Sequence, residues 1–240
     1  MRLSDFSVLS FDCYGTLIDW ESGIVAALAP WLAAHDVAPD RERVLAAFSS
    51  AEAPHQQATP GMLYRDLLAE VHGAIADQFG LARDPAAARA FGASIANWPA
   101  FPDSAEALRY LEQHYRLVIL SNVDRASFAH SNDRLGVSFD PVYTAEDIGC
   151  YKPDPRNFAH MLAGLGERGI AKEQILHTAE SLFHDHVPAK ACGLATCWIH
   201  RRAGRQGFGA TRAPEDEVRP DFRFATLAAM AAAHRAEQAR

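Results

Sequence analysis

Apolar positions follow two rhythms along this chain. Through Val8-Leu9-Ser10-Phe11 they are nearly continuous, and they stop at Asp12, with Gly15 and the small polar Thr16 close behind. A short apolar run that ends in turn residues reads as a buried parallel strand entering a loop. From about Ile18 to Asn97 the chain is rich in Ala, Leu and Glu, with no convincing strand. Gly23 to Ala34 is an apolar-striped helix. Asp40 to Ala53 is a second, with Asp40 as its N-cap. Leu63, Leu67, Leu68, Val71 and Ile75 put a third over Met62 to Phe79. Pro85 suits the first turn of a fourth, which runs to about Ile95.

From Trp98 strand and helix alternate. Helices are predicted over Asp103–His114, Arg125–Leu135, Pro155–Leu165 and Val187–Cys192, the last closed by Gly193. Strands are predicted at Leu117–Leu120, from Val142-Tyr143, at Ile175–Thr178 and at Ala195–Ile199. The segment Arg201–Arg219, rich in Gly, Pro and charge, reads as a loop, and Phe224–Arg240 as an Ala-rich helix. The alternation predicts an α/β fold, a doubly wound parallel sheet. A four-helix cap subdomain, residues 18–97, interrupts a Rossmann-like core of residues 1–17 and 98–240.

Composition narrows the class. With 49% apolar and 22% charged residues in 240, the chain is of ordinary globular type. A net charge of -7 argues against nucleic acid or an anionic membrane surface as a partner, though not against a small anionic substrate. Cys13, Cys150, Cys192 and Cys197 show no C-x-x-C spacing. The start shows no signal-peptide pattern and no run reaches membrane-spanning length, so a cytoplasmic location is expected.

Chemistry in an open α/β sheet gathers at the carboxyl ends of the strands. Asp12 stands at one such end, Ser121 and Asn122 at a second, Lys152 after a third, and Glu180, Ser181 and Asp185 after a fourth. A nucleophilic carboxylate needs a positive neighbour, which Lys152 can supply. His184 and His186 flank Asp185, and either could take a proton from water.

Four segments, Asp12-Cys13-Tyr14-Gly15-Thr16-Leu17, Leu120-Ser121-Asn122, Tyr151-Lys152-Pro153-Asp154 and the Glu180–Asp185 loop, resemble the four ordered motifs of the haloacid dehalogenase superfamily. Its phosphatases carry a second Asp two residues after the nucleophile. Tyr14 stands there, as in the 2-haloacid dehalogenases. Ile18-Asp19-Trp20, Trp98–Pro102 and Thr196–Ile199 also resemble that branch. The resemblance implies that Asp12 attacks the α-carbon of a small 2-substituted carboxylate and forms an ester, which water hydrolyses with no metal and no cofactor. Thr16, Ser121 and Lys152 would hold the Asp12 carboxylate. Asn122 would bond the substrate or support its loop, and Asp185 would orient Lys152 or the water. Tyr14 and Trp20 would line the pocket or simply pack. A homodimer formed through the cap is implied as well.

The departures concern the leaving group. The Arg that receives the halide in the dehalogenases aligns near Ser49, and no Arg occurs between Val44 and Tyr64. Arg41 and Arg43 lie outside that stretch. A family Tyr is Phe158 here, and an Asn that supports ester hydrolysis is Leu182. A halide leaves as an anion and favours a cation beside it. A strained ring amine, protonated at neutral pH, favours a carboxylate or an aromatic wall, for which Asp19, Glu180 and Trp20 are candidates, with helix capping as the preferred reading of Asp19. The L-azetidine-2-carboxylate hydrolases of this family fit the second case, with 2-hydroxy-4-aminobutyrate as product. Both substrates stay open. The alternatives are a magnesium phosphatase with Glu180 and Asp185 as ligands, and a silent binding protein on the same scaffold.

Overall fold

The computed structural model describes residues 1–239. Its centre is β1 (Val8–Phe11), in which all four residues are buried. Both faces of this strand are covered, which accounts for its unbroken apolar text. Four helices follow: α1 (Trp20–Ala34), α2 (Arg41–Ala58), α3 (Tyr64–Phe79) and α4 (Pro85–Ala93). The rest alternates as α5 (Ser104–Leu111), β2 (Arg116–Ser121), α6 (Arg125–Leu135), β3 (Val142–Thr144), α7 (Ala145–Ile148), α8 (Pro155–Gly166), β4 (Ile175–Ala179), α9 (Val187–Ala191), β5 (Ala195–Ile199), β6 (Phe222–Phe224) and α10 (Leu227–Gln238).

The six strands are ordered β3-β2-β1-β4-β5-β6, and every pairing is parallel. The chain winds outward from β1 to β3, then returns to the other side of β1 at β4. The β1 and β4 loops therefore diverge at a topological switch point, where such sheets open a crevice. Register matters as well: Ser10 lies beside His177 across the β1–β4 pair.

Several expectations shift in detail. Helix α1 starts at Trp20 because Asp19 caps it, accepting from the Ser22 N–H (3.1 Å) and the Ser22 hydroxyl (2.7 Å). Asp19 is a cap. Helix α2 continues through Pro54 to Ala58. The tail begins with strand β6 before α10, and Arg240, the end of the expected tail helix, lies outside the described residues. The Arg201–Arg219 segment is a loop that clasps the inserted helices. Arg202 Nη1 donates to both Glu21 oxygens (2.9 and 2.7 Å), and its Nη2 donates to Glu42 (2.9 Å). No helix among the described residues is long and apolar enough to cross a membrane.

Candidate active site

Asp12 leaves β1 directly into a turn. Gly15 takes φ +89°, a left-handed backbone that disfavours a side chain, and a Cβ there would stand 3.0 Å from Trp20 Nε1. The turn brings Thr16 back onto the carboxylate, and its hydroxyl donates to Asp12 Oδ2 at 2.7 Å. Thr16 Oγ1 in turn accepts the Glu180 N–H (2.9 Å), which ties the β1 and β4 loops together.

Lys152 comes from the loop before α8 and is 1% exposed. Its ammonium donates to Asp12 Oδ1 (2.9 Å), Asp185 Oδ1 (2.6 Å) and the Leu120 carbonyl (2.8 Å). All three protons are thus engaged. The loop is fixed by Asn122, whose side chain donates to the Lys152 carbonyl (3.0 Å) and accepts the Lys152 N–H (2.6 Å). Of the two roles expected of Asn122, loop support is the one its side chain fills.

Asp185 belongs to a π-helical turn, Leu182–His186, begun by Ser181, whose hydroxyl accepts the His184 N–H (3.0 Å). Wide turns of this kind recur at functional sites. His177 Nε2 also meets Asp185 Oδ1 (3.0 Å), and His177 Nδ1 meets Ser10 Oγ (2.9 Å). A polar chain therefore runs Ser10–His177–Asp185–Lys152–Asp12 through the core. Nothing in the sequence around His177 points to this role. Phe158 packs edge-to-face on the His177 ring, with centroids 5.0 Å apart.

The charges sort accordingly. Lys152 and His177 hold the Asp185 carboxyl far below its ordinary range against the cost of burial. Burial pushes Asp12 upward, with the Lys152 ammonium opposing. Burial pushes His184 down to about 4, so it is neutral at neutral pH.

These groups open onto a cleft with about 390 Å³ of empty space, lined by Asp12, Tyr14, Trp20, Ser121, Asn122, Lys152, Ser181, His184 and Asp185 from the strand-end loops and the start of α1. Glu52 and Gln56 of α2, Tyr64 of α3 and Thr211 complete the wall. Glu52 is 4% exposed and accepts the Tyr64 hydroxyl at 2.6 Å, and burial raises it to about 7. The Tyr14 hydroxyl is paired with Ser131 Oγ (2.8 Å) and points away from acid–base duty.

Four expectations need correction. Ser49 is half-buried on α2 and does not line the cleft; Glu52, three residues on, occupies the inward face. Ser121 makes no bond to Asp12, and its buried hydroxyl has no hydrogen-bond partner among the described residues. The Glu180 side chain lines a separate pocket behind Trp20, with Asp19, Glu21, Arg201 and Arg202; there burial and the Glu21 and Asp12 charges raise it to about 8. His186 is buried away from the cleft, with Nε2 on the Ala179 carbonyl (3.0 Å). Neither nearby Arg compensates at the cleft: Arg41 Nη2 lies 3.6 Å from Glu21, and Arg43 stacks on Phe79. Glu52, Gln56 and Tyr64 were missed, although Leu45, Phe48, Glu52 and Gln56 share one helical face.

Residues 6–178, well over half of the chain, match the model of the haloacid dehalogenase-like hydrolases, and the chain belongs to that family. An (S)-2-haloacid dehalogenase of Pseudomonas fluorescens is 32% identical over 109 residues, covering 43% of this chain and 45% of the relative. The chain thus spans about half the length of the curated relatives it matches. A crystal structure of a defluorinating L-2-haloacid dehalogenase superposes with a TM-score of 0.79 over 98% of this chain and 99% of its own, at 22% identity. An L-2-haloacid dehalogenase from Xanthobacter autotrophicus, with chloropropionic acid covalently bound, superposes at 0.72 over 96% and 98%, at 20% identity. The doubly wound fold is shared with both.

Proposed function

We propose that this chain hydrolyses a small 2-substituted carboxylate by attack of Asp12 on its α-carbon, without a metal ion. The observation that carries the reading is the setting of Asp12: a buried carboxylate held at one oxygen by Lys152 and at the other by Thr16, facing a small cleft with no acid at position 14. In this reading residues 18–97 are the cap over a core of residues 1–17 and 98–240.

The substrate carboxylate takes the unpaired Ser121 hydroxyl, which lines the cleft without a partner of its own. An unmade buried hydrogen bond costs about 1–3 kcal/mol, which a bound acceptor would recover. Asp12 displaces the leaving group at the α-carbon and becomes an ester. Water then attacks the Asp12 carbonyl carbon, and the neutral His184 imidazole is the group placed to accept its proton. Asp185 keeps Lys152 in place.

A halide leaving group is supported by the relatives named as 2-haloacid dehalogenases. A ring amine, as in L-azetidine-2-carboxylate, is supported by the cleft wall, where Lys152 is the single Lys or Arg among the described residues and has no free proton. The phosphatase reading asks for Glu180 and Asp185 as metal ligands. It fits poorly, since Glu180 faces another pocket and Asp185 is bound to Lys152 and His177. We expect turnover of L-2-chloropropionate or L-azetidine-2-carboxylate to be unchanged by EDTA. Turnover lost with EDTA and restored by magnesium would overturn the metal-free mechanism.

A further inference from the structure

Among the described residues, the cleft wall opposite the strand ends carries one acidic side chain, Glu52. Three observations set it apart from an ordinary buried acid. It lines the same cleft as Asp12. Its carboxyl has one hydrogen-bond partner among the described residues, the Tyr64 hydroxyl, which reaches Oε1. Among the described residues no Lys, Arg or His pairs with it, although it is almost fully buried. A buried carboxylate without a cation is costly, and a cationic ligand in the cleft would relieve that cost.

Resting on the Asp12 displacement reading and deepening it, we propose that Glu52 receives the leaving group and selects substrates whose leaving atom is a protonated nitrogen. A departing halide would add a second anion beside this carboxylate. A ring ammonium supplies the missing partner. Asp12 Oδ forms the new bond to the α-carbon as the C–N bond breaks, and the electron pair of that bond goes to nitrogen. The nitrogen already carries two hydrogens as the ammonium, so it departs as a neutral primary amine still tethered to the product. Glu52 gains and loses no proton in that step. Water then cleaves the ester, which restores Asp12 and yields the 2-hydroxy acid. No further reactant is needed.

Binding of two unreactive five-membered rings tests this without turnover. L-Proline carries the ring ammonium, and (S)-tetrahydrofuran-2-carboxylate has a neutral oxygen in its place. Calorimetric titration of the wild-type protein should give L-proline the lower Kd by roughly tenfold or more, the scale expected of a desolvated charge pair. Glu52→Gln should erase that preference, while Tyr64→Phe, which keeps the carboxylate, should retain it. Equal Kd values for the two rings in the wild type overturn the proposal with no variant needed. So does a preference that survives in Glu52→Gln. Failure of the Asp12 reading would show separately, as the absence of an ester on Asp12, whatever these ratios are.

Discussion

Asp12→Asn should lose turnover by roughly ten-thousandfold or more, the scale seen when a nucleophile is removed from a working constellation. The amide matches the carboxylate in shape, and its oxygen can still accept from Lys152, so the cleft should keep its form and bind substrate within a few-fold of the wild type. The loss should therefore fall on kcat. Product formation is read by chloride release and by chromatography of the ring-opened acid. Residual activity within tenfold of wild type would move the nucleophile elsewhere.

Lys152→Met should cost both stability and activity. The ammonium lies between two buried carboxylates, 2.9 Å from Asp12 and 2.6 Å from Asp185. Removing one partner of a buried ion pair typically destabilises by about 3–5 kcal/mol, because the charge left behind has lost its compensation. Urea denaturation should show a loss of that order. Without the ammonium, burial and the Asp185 charge both push Asp12 upward, so any remaining activity should have its acid limb at higher pH than in the wild type. Adding Asp185→Asn should return part of the stability but none of the activity. Lys152→Arg is no conservative rescue, since a planar fork cannot reproduce three convergent bonds from one atom. The same pair makes the wild type acid-sensitive. Asp185 ionises more readily folded than unfolded, so its contribution is present above its ordinary value of 3.8 and is lost as pH falls toward its much lower folded value.

What could be read from the chain in advance divides along a physical line. Asp12, Lys152 and Asp185 were legible because a parallel sheet delivers its strand-end loops to one edge whatever the packing details. Strand β5 and helix α6 were legible to the residue, since their apolar text and end signals agree. The α2 wall was not. Which residues of a helix face the cleft depends on how the helix docks, and a three-residue step separates Ser49, half-buried outside the cleft, from Glu52 inside it. His177 was hidden for another reason: its partners, Ser10 and Asp185, meet it only through strand register and a π-helical turn. Strand β6 is three residues long at the sheet edge, too short for an alternation to register. The Ser121 hydroxyl was placed at the right strand end but given the wrong partner, because a strand end sets position and not side-chain direction.

The covalent role of Asp12 is tested most directly by one turnover in ¹⁸O-water with enzyme in excess over substrate. Ester formation on Asp12 transfers an unlabelled carboxylate oxygen to the α-carbon, and water then replaces it on Asp12. The expected result is an unlabelled 2-hydroxy product and one ¹⁸O in the peptide that carries Asp12, read by mass spectrometry. Labelled product in the first turnover, with Asp12 left unlabelled, would mean that water attacks the α-carbon itself.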